Sequence, residues 1–254
     1  MKLFRLLRAG VTILRAALHL LLGILLALLF TPDNPSTSQL YIWWTRKLCQ
    51  IFRIKISTYG KSESDGTLYV MNHISWVDIP ALATQQPLHF LSKAEVRKWP
   101  FIGWFAERVG TLFIQRGAAG AASKSLSEIT HCLEQGGNVA IFPEGTTTDG
   151  SSMRTFHGRL LQAAIDAKTK IQPVALCYPH ESGSNPYVRY VGEMSFIDSL
   201  LGLTQAKSVD AELHYLQPIT LHLQQPDKVS RKQLAQLAQQ AIASKLELDN
   251  YPKK

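Results

Sequence analysis

From Ile54 onward the chain alternates short runs rich in β-branched and aromatic residues with longer helical stretches, and few architectures accommodate that order. Strands are predicted at 54–59, 67–71, 88–92, 110–115, 138–142, 171–177, 187–192 and 211–217, and helices at 79–86, 99–108, 119–135, 157–168 and 229–246. The pattern predicts an α/β fold with a mostly parallel or mixed sheet covered by helices, the mixing falling at the late strands. Gly136-Gly137 is a natural helix stop, and the glutamine-rich stretch from Arg231 to Leu246 reads as a surface cap. No internal repeat is present.

Three polar signatures sit at the C-terminal ends of predicted strands, where open α/β sheets place their ligands. The first is Asn72-His73-Ile-Ser-Trp-Val-Asp78, following the strand at 67–71. Asp78 precedes Ile79-Pro80, where an aspartate suits an N-cap and proline is tolerated in the first helical turn. Along one regular helix, residues five apart point to different faces, so only a strand-to-helix turn lets this carboxylate reach the imidazole. An imidazole held by a carboxylate on one nitrogen presents the other as a general base.

The second signature, Gln115-Arg116-Gly117, offers a planar guanidinium for a phosphate or a carboxylate, with room for close approach. In the third, Phe142-Pro-Glu-Gly-Thr146, a carboxylate sits on a stiff turn, where Glu144 either binds substrate hydroxyls or positions Arg116.

Residues 1–30 place Lys2, Arg5 and Arg8 ahead of an apolar run ending in Leu-Leu-Ala-Leu-Leu-Phe30. The segment resembles a signal peptide, but Phe30-Thr-Pro-Asp-Asn-Pro35 offers no small-x-small cleavage site, so retention is expected. A helix from Ala9 to Phe30 is about 33 Å long, barely a span, and carries Arg15 and His19. A single span would export the rest of the chain. The next amphipathic stretch, with Trp43 and Trp44 beside Arg46 and Lys47, has interfacial composition. Residues 1–53 are therefore expected to form a membrane-associating helix pair dipping into the cytoplasmic leaflet, with a single-span anchor as the alternative, and residues 54–254 the α/β domain.

A net charge of +8 and a pI near 9.4 imply an anionic partner: a membrane surface, a phosphate-bearing substrate or nucleic acid. The basic residues are dispersed and no nucleic-acid motif occurs, which disfavours the last. Cys49, Cys132 and Cys177 are scattered, so spacing indicates neither disulfides nor a zinc site and fits a reducing compartment.

Four segments in order, Asn72 to Asp78, Gly110-Thr-Leu-Phe-Ile-Gln-Arg116, Phe142 to Thr146 and Ile171-Gln-Pro-Val-Ala175, resemble the motifs of the 1-acylglycerol-3-phosphate acyltransferase (PlsC-like) family. The resemblance covers roughly residues 40–220 and extends to Ser92-Lys93-Ala-Glu95 and Trp99-Pro-Phe-Ile-Gly103. It implies that His73 is the general base and Asp78 its orienting partner. Arg116, aided by Lys93, would bind the acceptor's phosphate, Glu144, Gly145 and Thr146 would position the acceptor, and Pro173 and Val174 would shape the pocket. The implied reaction transfers a fatty acyl group from coenzyme A or acyl carrier protein to a lysophospholipid hydroxyl, with no metal and no cofactor beyond that co-substrate.

The chain departs from the family pattern where an arginine commonly follows Phe-Pro-Glu-Gly-Thr: here Thr147-Thr148-Asp149 follows Thr146, and Phe156 precedes a histidine rather than a lysine. Lysophosphatidate is the first expected acceptor and a less anionic lyso-lipid, such as lyso-ornithine lipid, the second. Because no Gly-x-Ser-x-Gly elbow occurs, a serine hydrolase is disfavoured. A non-catalytic lipid-binding protein of the same fold is the other competing class, against which the His73–Asp78 pair argues.

Overall fold

The structure, a computed structural model, describes residues 2–29, 35–100, 102–114, 121–220 and 230–248. Helix α1 (Lys2–Leu29) is the one described helix long and apolar enough to cross a membrane, by length and composition, between Leu6 and Leu28. Its residues divide by face at helical spacing: Thr12, His19, Gly23 and Ala27 are buried, while Leu7, Leu14, Leu18, Leu21, Leu25 and Leu28 form an exposed stripe.

Helix α2 (Pro35–Ile51) folds back against the buried face of α1. His19 and Trp44 stack with ring centroids 4.9 Å apart. The indole Nε1 donates to the His19 carbonyl at 3.0 Å, and His19 Nε2 lies 2.9 Å from the Trp44 carbonyl. This reciprocal pair explains a histidine inside an apolar helix, since each ring satisfies its polar atom on the other residue's backbone. Gly23 permits the approach, because a Cβ there would meet the indole at 2.6 Å.

The α/β body comprises β1 (Ile54–Tyr59), β2 (Leu68–Met71), α3 (Asp78–Ala83), β3 (His89–Lys93), α4 (Ile102–Arg108), β4 (Leu112–Ile114), α5 (Ala121–Glu134) and β5 (Val139–Ile141). It continues through α6 (Gln162–Asp166), β6 (Ile171–Cys177), a two-residue hairpin of β7 (Pro179–His180) and β8 (Gly183–Ser184), α7 (Phe196–Gln205), β9 (Val209–Tyr215) and α8 (Arg231–Lys245). Seven strands form one sheet in the order β1-β9-β6-β2-β5-β3-β4. All neighbours are parallel except β6 and β9, so the sheet is mostly parallel, with β9 and its edge neighbour β1 running opposite to the other five strands.

Side-chain alternation splits the core in two. Tyr69, Met71, Leu176 and Leu213 pack on one face, whereas Val70, Ile141 and Ala175 meet Leu234, Ala238 and Ile242 of α8 on the other.

The expected strand at 187–192 is absent. Asn185 overrides the apolar run, its side chain accepting from the Tyr187 amide at 3.0 Å and its carbonyl from the Val188 amide at 3.3 Å, which makes a turn. Helix α7 was not expected, although Ser195 caps it by accepting from the Asp198 amide. Arginines at the start of the chain hold its far end: Arg8 Nη2 donates to the Gln205 carbonyl at 2.7 Å and Arg53 Nη2 to that of Thr204 at 3.2 Å. These cations lie at the negative end of the helix dipole and couple the N-terminal pair to the body.

If the leucine stripe binds the bilayer, replacing Leu14, Leu18 and Leu21 by Lys should move the protein from the membrane pellet to the supernatant on fractionation. Continued sedimentation of the folded triple variant with membranes would show that the stripe does not hold it there.

Candidate active site

Strand β2 ends at Met71, and the next two residues turn away from the sheet in different ways. Asn72 is buried and binds both backbone groups of Leu176, donating to its carbonyl at 2.8 Å and accepting from its amide at 2.9 Å. That locks the end of β2 to the end of β6. His73 follows with its ring 3.9 Å from that of Phe142, nearly parallel, and its side chain 18% exposed.

Asp78 is fully buried. It does not act as the expected N-cap: α3 begins at Asp78 itself, and the carboxylate folds back over the turn that precedes it. Oδ2 accepts from the Ile74 amide at 2.8 Å and the Ser75 amide at 2.9 Å, and lies 2.7 Å from His73 Nδ1. Oδ1 accepts from the Tyr178 hydroxyl at 2.7 Å. A carboxylate surrounded by donors must receive a proton from Nδ1, which leaves the lone pair on Nε2. Among the described residues Nε2 has no protein partner, so the ring offers a base to an incoming group.

Glu144 is buried too, and both its oxygens are engaged within the protein. Oε1 accepts from the His73 amide at 2.8 Å and Oε2 from the Arg154 amide at 2.7 Å. Burial raises its carboxyl above the ordinary range, and the two amide bonds pull it back. The turn carrying it closes through Gly145, whose amide donates to the Phe142 carbonyl at 3.1 Å with φ at +71°. Further contacts fix the histidine loop. Thr148 N donates to the His73 carbonyl at 2.9 Å, Tyr190 N to that of Ile74 at 3.2 Å, and Trp76 Nε1 to Ser199 Oγ at 3.1 Å. Thr147 Oγ1 in turn donates to the Tyr190 carbonyl.

A family profile described as Acyltransferase matches residues 53–177. The chain is 39% identical over 209 residues to lyso-ornithine lipid O-acyltransferase of Pseudomonas aeruginosa, covering 82% of this chain and 79% of that one. The chain belongs to this acyltransferase family. It is also 37% identical over 130 residues to 1-acyl-sn-glycerol-3-phosphate acyltransferase of Neisseria gonorrhoeae, 51% of each chain. The crystal structure of the 1-acyl-sn-glycerophosphate acyltransferase PlsC from Thermotoga maritima shares the fold, with TM-score 0.69 at 17% identity over 97% of this chain and 96% of that one.

Within this acyltransferase the expected site residues are distributed as follows. His73, Asp78, Glu144 and Gly145 converge at the ends of β2 and β5. Thr146 is exposed on the same turn. Pro173 is buried within β6 opposite Val70, its carbonyl accepting from the Leu216 amide at 3.0 Å. Lys93 ends β3 opposite Ile114, but its side chain, like the whole of Arg116, lies outside the described residues.

Tyr178 is the contributor that sequence reasoning missed. It stands 100 residues from Asp78 and no spacing signals it. Burial and the neighbouring carboxylate both push its phenol well above the ordinary value, so it remains a donor at working pH. Spacing also concealed a cluster of Cys177, Glu212 and His214, whose ligand-type atoms lie within 4.8 Å of one another across β6 and β9. Its members already bond to each other, with His214 Nε2 3.0 Å and Cys177 Sγ 3.8 Å from Glu212 Oε2.

Glu144 therefore holds the His73 loop from behind. Glu144→Ala orphans two amides and should cost about 2–6 kcal/mol of stability, at roughly 1–3 kcal/mol per unsatisfied buried group. Thermal or denaturant unfolding checks this, and wild-type stability of the variant would mean that water replaces the carboxylate without loss.

Proposed function

We propose that this acyltransferase moves a fatty acyl group from a thioester donor, acyl coenzyme A or acyl carrier protein, to the hydroxyl of a lyso-lipid, with His73 as general base. The observation that carries the reading is the His73 Nδ1–Asp78 contact of 2.7 Å, with Nε2 left without a partner among the described residues. Nε2 takes the hydroxyl proton as the oxygen attacks the thioester carbonyl. Collapse of the tetrahedral intermediate breaks the carbon–sulfur bond, and the imidazolium returns the proton to the departing thiolate. Asp78 holds the tautomer and stabilises the imidazolium. A thioester is already activated, so neither a protein nucleophile nor a metal is needed.

The acceptor we favour is a lyso-ornithine lipid. The relative matched across four-fifths of the chain carries that name, whereas the lysophosphatidate relative matches half. The Thr147-Thr148-Asp149 departure supports the same choice, because it puts a hydroxyl where phosphatidate-forming members commonly have a cation, and an acid two positions on. Lysophosphatidate is the second reading, favoured by Arg116 just beyond β4, with Lys93 as its aid. On either reading Gly145 shapes the Glu144 turn, Thr146 faces the acceptor, and Pro173 sets the sheet behind the pocket. The helix pair 1–53 dips into the cytoplasmic leaflet and presents the domain 54–254 to its lipid.

His73→Ala should lower turnover by at least about 10²-fold with little change in melting temperature, since the base typically supplies 10² to 10⁴. A folded variant turning over at the wild-type rate would sink the mechanism. For the acceptor, purified enzyme offered both lyso-lipids should make predominantly ornithine lipid. Predominant phosphatidate, with a raised Michaelis constant for lysophosphatidate in Arg116→Ala, would establish the second reading instead.

A further inference from the structure

The departure from the family pattern at residues 147–149 has a structural counterpart. Thr147 and Thr148 are fastened to the Tyr190 and His73 carbonyls, so the residue that follows them, Asp149, is carried to the edge of the histidine loop. Its Oδ1 is anchored by the Ser151 amide at 2.9 Å and hydroxyl at 2.6 Å. Oδ2 has no protein partner among the described residues.

Arg189 adjoins this loop from the other side, next to Tyr190, whose amide binds the Ile74 carbonyl. Its Nη2 is anchored on the Ser184 carbonyl at 2.8 Å, and Ser184 in turn touches the loop at Gly150, where an added Cβ would lie 2.7 Å from its hydroxyl. Arg189 Nε and the Ser184 hydroxyl are buried with no hydrogen-bond partner among the described residues. Such unsatisfied polar atoms are uncommon in a packed protein and call for an explanation.

The two charges sense one another without pairing. The Ser151 bonds chiefly, and the Arg189 charge as well, hold the Asp149 carboxyl below the ordinary range, so it is an anion at neutral pH. Among the described residues, however, no ion pair within 4.0 Å joins them. Each side chain is pinned by one polar atom, Asp149 through Oδ1 and Arg189 through Nη2, and the two opposite charges stand on segments bonded to the His73 and Ile74 carbonyls.

We infer that Asp149 and Arg189 form a head-group site for a zwitterionic amino-acid lipid, Asp149 receiving the ammonium and Arg189 the carboxylate. The inference rests on the lyso-lipid reading above. A phosphate monoester would meet attraction from Arg189 and repulsion from Asp149, whereas an ornithine acylated on one amine keeps one carboxylate and one ammonium and suits both. The pair thus assigns discrimination between the two acceptors to residues outside the family motifs, by attraction of one head group and rejection of the other.

The test is a chemical double-mutant cycle on the full-length protein in detergent, using lyso-ornithine lipid, the same lipid acetylated on its free amine, and lysophosphatidate. Acetylation should raise the wild-type Michaelis constant roughly ten- to hundred-fold, the range for losing a charged hydrogen bond. Asp149→Asn should raise it similarly for the native lipid and make the enzyme indifferent to acetylation, while improving lysophosphatidate relative to lyso-ornithine lipid. Arg189→Gln should weaken native and acetylated lipid alike. If acetylation leaves the wild-type Michaelis constant unchanged, or if its effect persists undiminished in Asp149→Asn, the head-group site is refuted while the acceptor reading survives. Failure of wild-type enzyme to acylate lyso-ornithine lipid at all, with lysophosphatidate turned over, overturns both.

Discussion

The site depends on one buried carboxylate. Asp78 lies wholly inside the protein, and four donors converge on it: two amides, a phenol and the His73 imidazole. Burial of an anion is expensive unless it is met in this way. Because three of the four donors are fixed by backbone or by packing, the imidazole has one orientation that completes the set. Tyr178 brings that constraint from the end of β6, and Asn72 ties the same strand end to β2, so the sheet register and the histidine geometry are settled together.

The same loop is held a second time from its outer side. Glu144, Thr148, Tyr190 and Ser199 each bind a different group between His73 and Trp76. Three segments distant in sequence therefore meet on one strand-to-helix turn and hold the His73 imidazole in place, the condition that proximity catalysis sets for any general base. The family pattern at Phe142 to Gly145 is explained in part by this geometry. Glu144 faces inward onto backbone amides, and the exposed side of that turn belongs to Thr146.

Local pattern made the α/β alternation, the strand-end position of His73 and the apolar first helix legible in the sequence. What stayed hidden depended on partners far along the chain. Asp78 looked like a helix cap because its neighbours Ile79-Pro80 suit one, yet its carboxylate serves the preceding turn. The run at 187–192 read as a strand from its apolar residues, and a single Asn185 turn defeated it. The α7 cap, Ser195 with Asp198, was present as local chemistry and overlooked. The Tyr178–Asp78 contact and the His19–Trp44 pair arise only when strand order and helix packing bring residues together, and no spacing rule encodes them.

The claim on which the rest stands is that the Asp78 frame keeps the His73 proton on Nδ1 and the lone pair on Nε2. Nitrogen NMR of histidine-labelled protein in detergent micelles, with His73 assigned by its loss in His73→Ala, measures that tautomer directly. At a pH where the ring is neutral, the account predicts a protonated Nδ1 and an unprotonated Nε2, with the preference weakened in Asp78→Asn. A neutral His73 protonated on Nε2 would contradict it, because that ring would have no base to offer the acceptor.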